Sequence, residues 1–397
     1  MYLVDFLATA LAVCVTLPVL VLFAQCVVAV FCKSGSERSV SVPASVTRDI
    51  AYLVPAHNEE QSLAFTLTDI QRDMQTGNRL LVVADNCSDR TAEVASRFGA
   101  EVLVRHDDIL RGKGYALAHG IEHLRKHPPA VVIFLDADCR IERGFGPALA
   151  DEALSKNRPV QARDIMVAHP DGSGVQAVAE FAWLVKNVVR PLGRQCLGMA
   201  GLLAGTGMAV PWEQLSRVDA ATGSLAEDLK LGVDLAIAGN YPAYLPSATL
   251  TSRFPVSEES LSVQRQRWEV GSLAVLINYV VPLLKEALRK LDVKLFFLAI
   301  DISIPPLVMY FVVLVATCAI TGVAILLGGS WTGFVIALSG VLLWSVSVFM
   351  SWAAFGRKVL PLSAWPSIFR FILQKKSIYA VAFYRKKLKW QRTDRRS

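Results

Sequence analysis

The sequence predicts an α/β domain with a mainly parallel sheet, joined to transmembrane and interfacial helices. Three observations predict it. Between Ile50 and Leu135 short apolar runs alternate with helical ones, the pattern of a parallel sheet covered by helices. Three apolar stretches are long enough to cross a bilayer. Asp136-Ala-Asp138 closes the apolar run Val131-Val132-Ile133-Phe134-Leu135. Residues two apart in an extended segment face the same side, so both carboxylates address one place.

The first element, residues 1–32, is apolar except for Asp5 and a few polar residues. As a helix, Phe6 to Phe31 extends roughly 39 Å, enough to span a bilayer with tilt. No Lys or Arg precedes Lys33. The basic start of a signal peptide is therefore missing, and an uncleaved anchor is expected. Residues 33–47 are Ser-rich and read as a linker. Near the other end, residues 304–353 read as a transmembrane hairpin with Pro305 and Pro306 at its start and Gly328-Gly329-Ser330 as its turn.

From Trp331 onward there are twelve Lys or Arg against one acid, Asp394, while the whole chain carries +7. Residues 1–330 therefore sum to −4. The positive-inside rule puts the basic tail, 357–397, in the cytoplasm. Three spans then place the middle region there too, with the N-terminus outside. A bacterial inner membrane is the expected setting. The tail's charges alternate with Phe371, Tyr379, Phe383, Tyr384 and Trp390. That composition suits an anionic membrane surface and not a nucleic acid. The seven cysteines show no Cys-x-x-Cys pair and are expected to be reduced apolar fillers without a metal role.

Within residues 48–268 the expected strands are Ile50–Val54, Leu80–Ala84, Glu101–Val104 and Val131–Leu135. The expected helices are Gln61–Met74, Asp89–Phe98 and Tyr115–Leu124. Ligands of such sheets bind at the carboxyl ends of strands, where Pro55, Asp85 and Asp136 fall. Farther on, Val175–Val189 is strongly apolar and Leu197–Met208 is rich in Gly and Ala. Residues 269–294 keep a helical period ending in Lys285, Arg289, Lys290 and Lys294. They read as an amphipathic interface helix, kinked at Pro282.

Around Asp136-Ala-Asp138 six further motifs stand in order. They are Val54-Pro55-Ala56-His57-Asn58-Glu59-Glu60, Val83-Ala84-Asp85-Asn86-Cys87-Ser88-Asp89 and Arg111-Gly112-Lys113-Gly114-Tyr115, then Gly205-Thr206-Gly207-Met208, Ala226-Glu227-Asp228 and Gln264-Arg265-Gln266-Arg267-Trp268. The series resembles the family 2 inverting glycosyltransferases of GT-A fold, the group that includes cellulose synthase, hyaluronan synthase and ceramide glucosyltransferase. The resemblance covers about Ile50 to Trp268.

The resemblance implies a nucleotide-sugar donor, with UDP preferred. It implies that Pro55, His57 and Glu59 cup the base, and that Asp85 binds base or ribose. It leans Asp136 toward the ribose and Asp138 toward a divalent metal, Mg²⁺ or Mn²⁺, with Asp136 close by. Lys113, between two glycines, can bring an ammonium to phosphate. Gln264, Arg267 and Trp268 lie on one helical face. There Arg267 can hold the diphosphate and Trp268 can stack on a sugar ring. Ser224-Leu225-Ala226-Glu227 fits a capping box, which makes Glu227 mainly structural. Asp228 is left, by resemblance, as the general base. The family commonly carries Thr where this chain has Ala226.

One base and no second carboxylate nucleophile suit single displacement with inversion. Three spans are few for a chain that exports a polymer, so the expected acceptor is a membrane-embedded lipid or lipid-linked glycan. A processive β-glycan synthase remains the alternative. No Gly-rich triphosphate loop near the N-terminus supports a sugar nucleotidyltransferase, and the large polar domain argues against a transporter.

Overall fold

The computed structural model describes residues 2–36, 48–169, 172–224, 226–255 and 257–373. The chain divides into two compact units. One comprises residues 48–169 and Ala200–Gly271. The other comprises residues 2–34, Gly172–Met199 and 272–373.

Among the described residues the first unit is built on eight strands: β1 (Ile50–Ala56), β2 (Arg79–Asp85), β3 (Glu101–Arg105), β4 (Val131–Phe134), β5 (Arg140–Ile141), β6 (Val160–Val167), β7 (Met208–Pro211) and β8 (Ala243–Arg253). Their order is β3-β2-β1-β4-β7-β6-β8-β5. β3, β2, β1 and β4 are parallel throughout, as are β6 and β8. β7 is antiparallel to both its neighbours and β5 is antiparallel to β8. The mainly parallel α/β sheet is therefore present, with β7 and the short edge strand β5 reversed.

Every residue of β4 is buried, as expected for a strand covered on both faces. β1 shows how the pleat serves two layers. Ile50, Tyr52 and Val54 pack with Leu63, Leu67 and Ile70 of the helix Leu63–Asp73 on one face. Ala51 and Leu53 pack with Leu117, Ile121 and Leu124 of the helix Lys113–Leu124 on the other. The connections reverse direction at β1, which has β2 on one side and β4 on the other. A reversal of this kind opens a crevice at the strands' carboxyl ends.

The second unit is helical. Tyr2–Ser36 is one helix, and Leu307–Leu326 and Thr332–Ser351 form a hairpin. Asp5 Oδ1 accepts from Ser330 N at 2.9 Å in the hairpin turn, and Lys33 Nζ donates to Ala354 O at 2.6 Å. The first helix therefore runs parallel to the hairpin's second arm. Gly333 lies against Thr9 and Gly340 against Thr16, the small-residue contact that lets apolar helices approach closely.

A segment inserted between β6 and β7 joins this unit as the helix Gly174–Leu184, a π-helical turn Val185–Val189 and the helix Arg190–Cys196. From it Arg190 and Arg194 meet Asp301 of the helix Val293–Ile302, at 2.9 and 2.6 Å. Gln25 of the first helix donates to the same carboxylate at 2.6 Å.

Among the described residues, four helices are long and apolar enough to cross a membrane: Leu3–Lys33, Glu259–Lys290, Leu307–Leu326 and Thr332–Gly356. Three coincide with the expected spans. The fourth contains residues 269–290 of the expected interface segment, whose Lys294 falls instead in the helix Val293–Ile302, and is the least apolar of the four. It runs unbroken from Glu258 to Lys290 with Pro282 inside. One expectation is corrected. Cys32 and Cys196, 164 residues apart, are joined as a disulfide. Two helix ends that the sequence separates meet in the fold, and no spacing rule reveals it. Cys14, Cys26, Cys87, Cys139 and Cys318 are thiols. Residues 37–47 of the linker and 374–397 of the basic tail lie outside the described residues.

Candidate active site

The site gathers where β4 ends. Leu135 N still bonds Leu53 O of β1 at 3.1 Å, and then the chain turns. Asp136 N donates to Thr206 Oγ1 at 3.0 Å. The turn through Asp138 is held from behind by Thr66, whose hydroxyl reaches Ala137 O at 2.9 Å and Cys139 O at 2.8 Å. Asp136 and Asp138 are both half-buried, with Ala137 buried between them. The pair lies in a turn, closed by Cys139 N donating to Asp136 O at 3.4 Å, and not in the extended segment expected from the sequence, because the strand ends at Phe134.

Lys113 opens the helix Lys113–Leu124 after Gly112, which has φ +130°. Its ammonium is 2.5 Å from Asp136 Oδ1, 2.6 Å from Gly205 O and 3.9 Å from Glu227 Oε1. Burial disfavours the charged amine, but Asp136, Glu227 and Asp228 outweigh it and raise its pKa. Gly205 has φ +86°, and a Cβ there would stand 3.2 Å from Asp228 Oδ2 and 3.6 Å from Lys113 Nζ. The glycine thus lets Lys113, Asp136 and Asp228 close around one loop. Gly114 does similar service, since a Cβ there would overlap Thr222 O. A small cleft is lined by Lys113, Gly205, Thr222, Glu227, Asp228 and Lys230.

Glu227 corrects the capping-box expectation. The helix Glu227–Ile237 has Ala226 at its N-cap position with no side-chain cap, while Ser224 Oγ accepts from Ala226 N at 3.2 Å. The Glu227 side chain, 13% exposed, turns to Lys113. Burial lifts its pKa to about 7; Lys113 opposes the rise and Asp228 adds to it. This half-buried carboxylate lines the cleft, whereas the sequence pattern points it to the backbone.

The loops after β1 and β2 form the neighbouring wall. His57 Nδ1 lies 2.7 Å from Asp85 O, tying the loops together. Asn58 and Asn86 take left-handed φ of 56° and 52°, which Asn tolerates best after Gly. Pro55 pairs with Val83 in the ladder and is half-buried. Glu59 sits at the entrance to the helix Leu63–Asp73, its carboxylate accepting from Ser62 Oγ at 2.5 Å. Asp85 Oδ1 is 2.6 Å from Arg105 on β3. Arg105 escaped the sequence reading, although Asp85 and Arg105 are cross-strand partners.

Gln264, Arg267 and Trp268 lie in the helix Glu258–Lys290. Gln264 is buried; Arg267 and Trp268 are half-exposed.

Among the described residues no group of three or more His, Cys, Asp or Glu side chains could hold a metal. Asp136 and Asp138 supply two carboxylates only. That donor set does not make an all-protein cage. It does fit a hard divalent ion whose remaining ligands are water and substrate phosphate oxygens.

Comparison with known proteins agrees with this geometry. The profile of "Glycosyl transferase family 2" matches residues 52–171. That of "Glycosyl transferase family group 2" matches residues 131–383, well over half of the chain. The "Probable glycosyltransferase YdaM" of Bacillus subtilis is 23% identical over 266 residues, 62% of this chain and 61% of that protein. The "Dolichyl-phosphate hexose transferase" of Haloferax volcanii is 31% identical over 103 residues, 26% of this chain and 42% of that one. The chain thus spans less than two thirds of the length of these relatives. A solved structure, the "Mannosyltransferase PcManGT from Pyrobaculum calidifontis in complex with GDP-Man and Mn2+", superposes with a TM-score of 0.55 at 14% identity. It covers 97% of this chain and 100% of its own, and shows the GT-A fold. With the motifs in order, the switch point at β1 and two family profiles overlapping on β4, the chain belongs to the family 2 glycosyltransferases.

Proposed function

We propose that this glycosyltransferase moves a single sugar from a nucleoside diphosphate donor to a membrane-embedded, lipid-linked acceptor, with inversion. UDP is the expected nucleotide by family preference, and the product belongs to cell-surface polysaccharide or glycolipid synthesis. The observation that carries the reading is the closure of Lys113, Asp136 and Asp228 around Gly205.

In this reading Asp228 takes the proton from the acceptor hydroxyl as its oxygen attacks the anomeric carbon. The bond from that carbon to the diphosphate oxygen breaks, and the diphosphate leaves with the charge. Lys113 meets that charge from one side, and Arg267 holds the diphosphate. A Mg²⁺ or Mn²⁺ ion held by Asp138 and Asp136 would supply Lewis acidity to the leaving group. Pro55, His57, Glu59 and Asp85 cup the nucleoside. Gln264 and Trp268 line the sugar and acceptor side.

Three spans fit the helical unit. Asp5 meets the hairpin turn at Ser330, and Lys33 meets Ala354 at the opposite end. If the helix Glu258–Lys290 also crossed, the basic tail and the catalytic domain would face opposite sides, against the positive-inside rule. We therefore take that helix as interfacial and put both catalytic domain and tail in the cytoplasm.

Membranes containing the protein, given a panel of radiolabelled nucleotide sugars, should yield a lipid-extractable product with one added sugar. A long product ladder would instead support processive β-glycan synthesis, and no labelled product from any donor would sink both.

A further inference from the structure

The loop Ala204–Gly207 is where the site's groups converge, and it lies outside the regular ladder. β6 and β7 pair only at Val160↔Ala209 and Gln161↔Met208. What holds the loop is the side chain of Gln161, 4% exposed on β6. Its Nε2 donates to Thr206 O at 2.8 Å and Ala162 O at 3.1 Å, and its Oε1 accepts from Ala204 N at 2.8 Å. The amide thus replaces ladder rungs on both sides of Gly205. One backbone bond ties the loop to β6 directly, Ala162 N to Gly207 O at 2.8 Å, and the rest go to the site or to β4. Gly205 O accepts from Lys113, Thr206 Oγ1 accepts from Asp136 N, and Gly207 N donates to Phe134 O at 2.9 Å.

We infer that Gln161 is a positioning residue that fixes Gly205 and Thr206, and through them the placement of Lys113 against Asp136 and Asp228. The inference rests on the glycosyl-transfer reading above, since it gives that site its support. Only a side chain with one donor end and one acceptor end fits these partners. A leucine of similar volume would strand Ala204 N and Thr206 O. A glutamate would still accept from Ala204 N but would set a carboxylate against two carbonyl oxygens. Either change loosens the seat of the Lys113 ammonium.

The test compares Gln161→Leu and Gln161→Glu with Leu149→Ala, a buried control on the helix Phe145–Ser155, in the full-length protein. Two readouts are taken: kcat and KM for sugar transfer, and the rate at which an amine-acylating reagent modifies Lys113, followed by mass spectrometry. Loss of a net backbone hydrogen bond corresponds to about a tenfold change in an equilibrium. Both Gln161 variants should therefore acylate Lys113 about tenfold faster and lose about tenfold in kcat. Leu149→Ala should lower the melting temperature and leave both readouts unchanged. If the Gln161 variants only lower the melting temperature, as the control does, Gln161 is ordinary core and the inference falls. If Gln161→Leu does not fold, Gln161→Glu decides. If the wild type transfers no sugar, the functional reading fails, and the acylation rates still decide what Gln161 does.

Discussion

Lys113 Nζ and Asp136 Oδ1 stand 2.5 Å apart, although 23 residues separate them and they arise from a helix start and a strand end. That ion pair ties the start of the helix Lys113–Leu124 to the end of β4, and the expected behaviour of the site follows from it.

Lys113→Met removes the cation from among Asp136, Glu227 and Asp228. Those carboxylates then repel one another and meet the donor's phosphates without a counter-charge. The expected loss in kcat/KM is roughly a hundredfold, about 2.7 kcal/mol of transition-state stabilisation. Steady-state kinetics in detergent or nanodiscs checks it; activity within twofold of wild type removes Lys113 from the site.

Asp228→Asn should keep donor binding and lose transfer by roughly a thousandfold, within the usual range for removing a positioned base. Calorimetric titration with nucleoside diphosphate and a radiolabel transfer assay separate the two effects. Full transfer by this variant would show that the proton goes elsewhere.

Asp138→Ala should abolish the metal-dependent part of donor affinity, and chelation of divalent ions should do the same to wild type. Titrating the nucleotide with and without Mn²⁺ reads both. An affinity that ignores both the metal and the substitution would exclude Asp138 as a ligand.

Glu227 gives a pH signature. Its pKa rises from about 4.5 to about 7 in the fold, so the folded chain binds the proton more tightly than the unfolded chain. The proton is held through that window, and Glu227 costs stability progressively from pH 4.5 upward, reaching its full cost above pH 7. Glu227→Gln removes the cost. The variant should therefore match wild type near pH 4.5 and exceed it above pH 7 by up to about 3 kcal/mol. Thermal melts across pH 4.5–8.5 measure this, and parallel curves would refute it.

In the helical unit, Asp301 is fully buried among Arg190, Arg194 and Gln25. Burial pushes its carboxyl up, but the two guanidiniums overcome this and hold it at about 2. Asp301→Asn would leave both arginines without their counter-charge, at a cost of roughly 3–5 kcal/mol. A melting temperature within a degree of wild type would contradict that.

Much of this was legible in the sequence because buried parallel strands are nearly continuous apolar runs. β1, β2, β3 and β4 stand within two residues of where the pattern put them. Asp136, Lys113 and Asp228 were legible as motifs, and the fold brings them to one loop. What escaped depended on partners far along the chain. Glu227 matched a capping pattern three residues long, but its actual partner is Lys113. Gln161 belongs to no motif, and its role rests on four backbone partners, Ala162, Ala204, Thr206 and Gly207, most of them far along the chain. Thr66 and Arg105 serve the site from neighbouring elements, and the sequence marks neither. The Cys32–Cys196 link joins helix ends whose meeting depends on tertiary packing.

The grip of Asp5 on Ser330 has a practical outcome for anyone handling the protein. In the orientation proposed here, a purification handle fused ahead of Tyr2 must be translocated, and it emerges beside the hairpin turn on the far side from the nucleotide pool. A fluorescent reporter that matures only in the cytosol should stay dark at that end and glow when attached after Ser397.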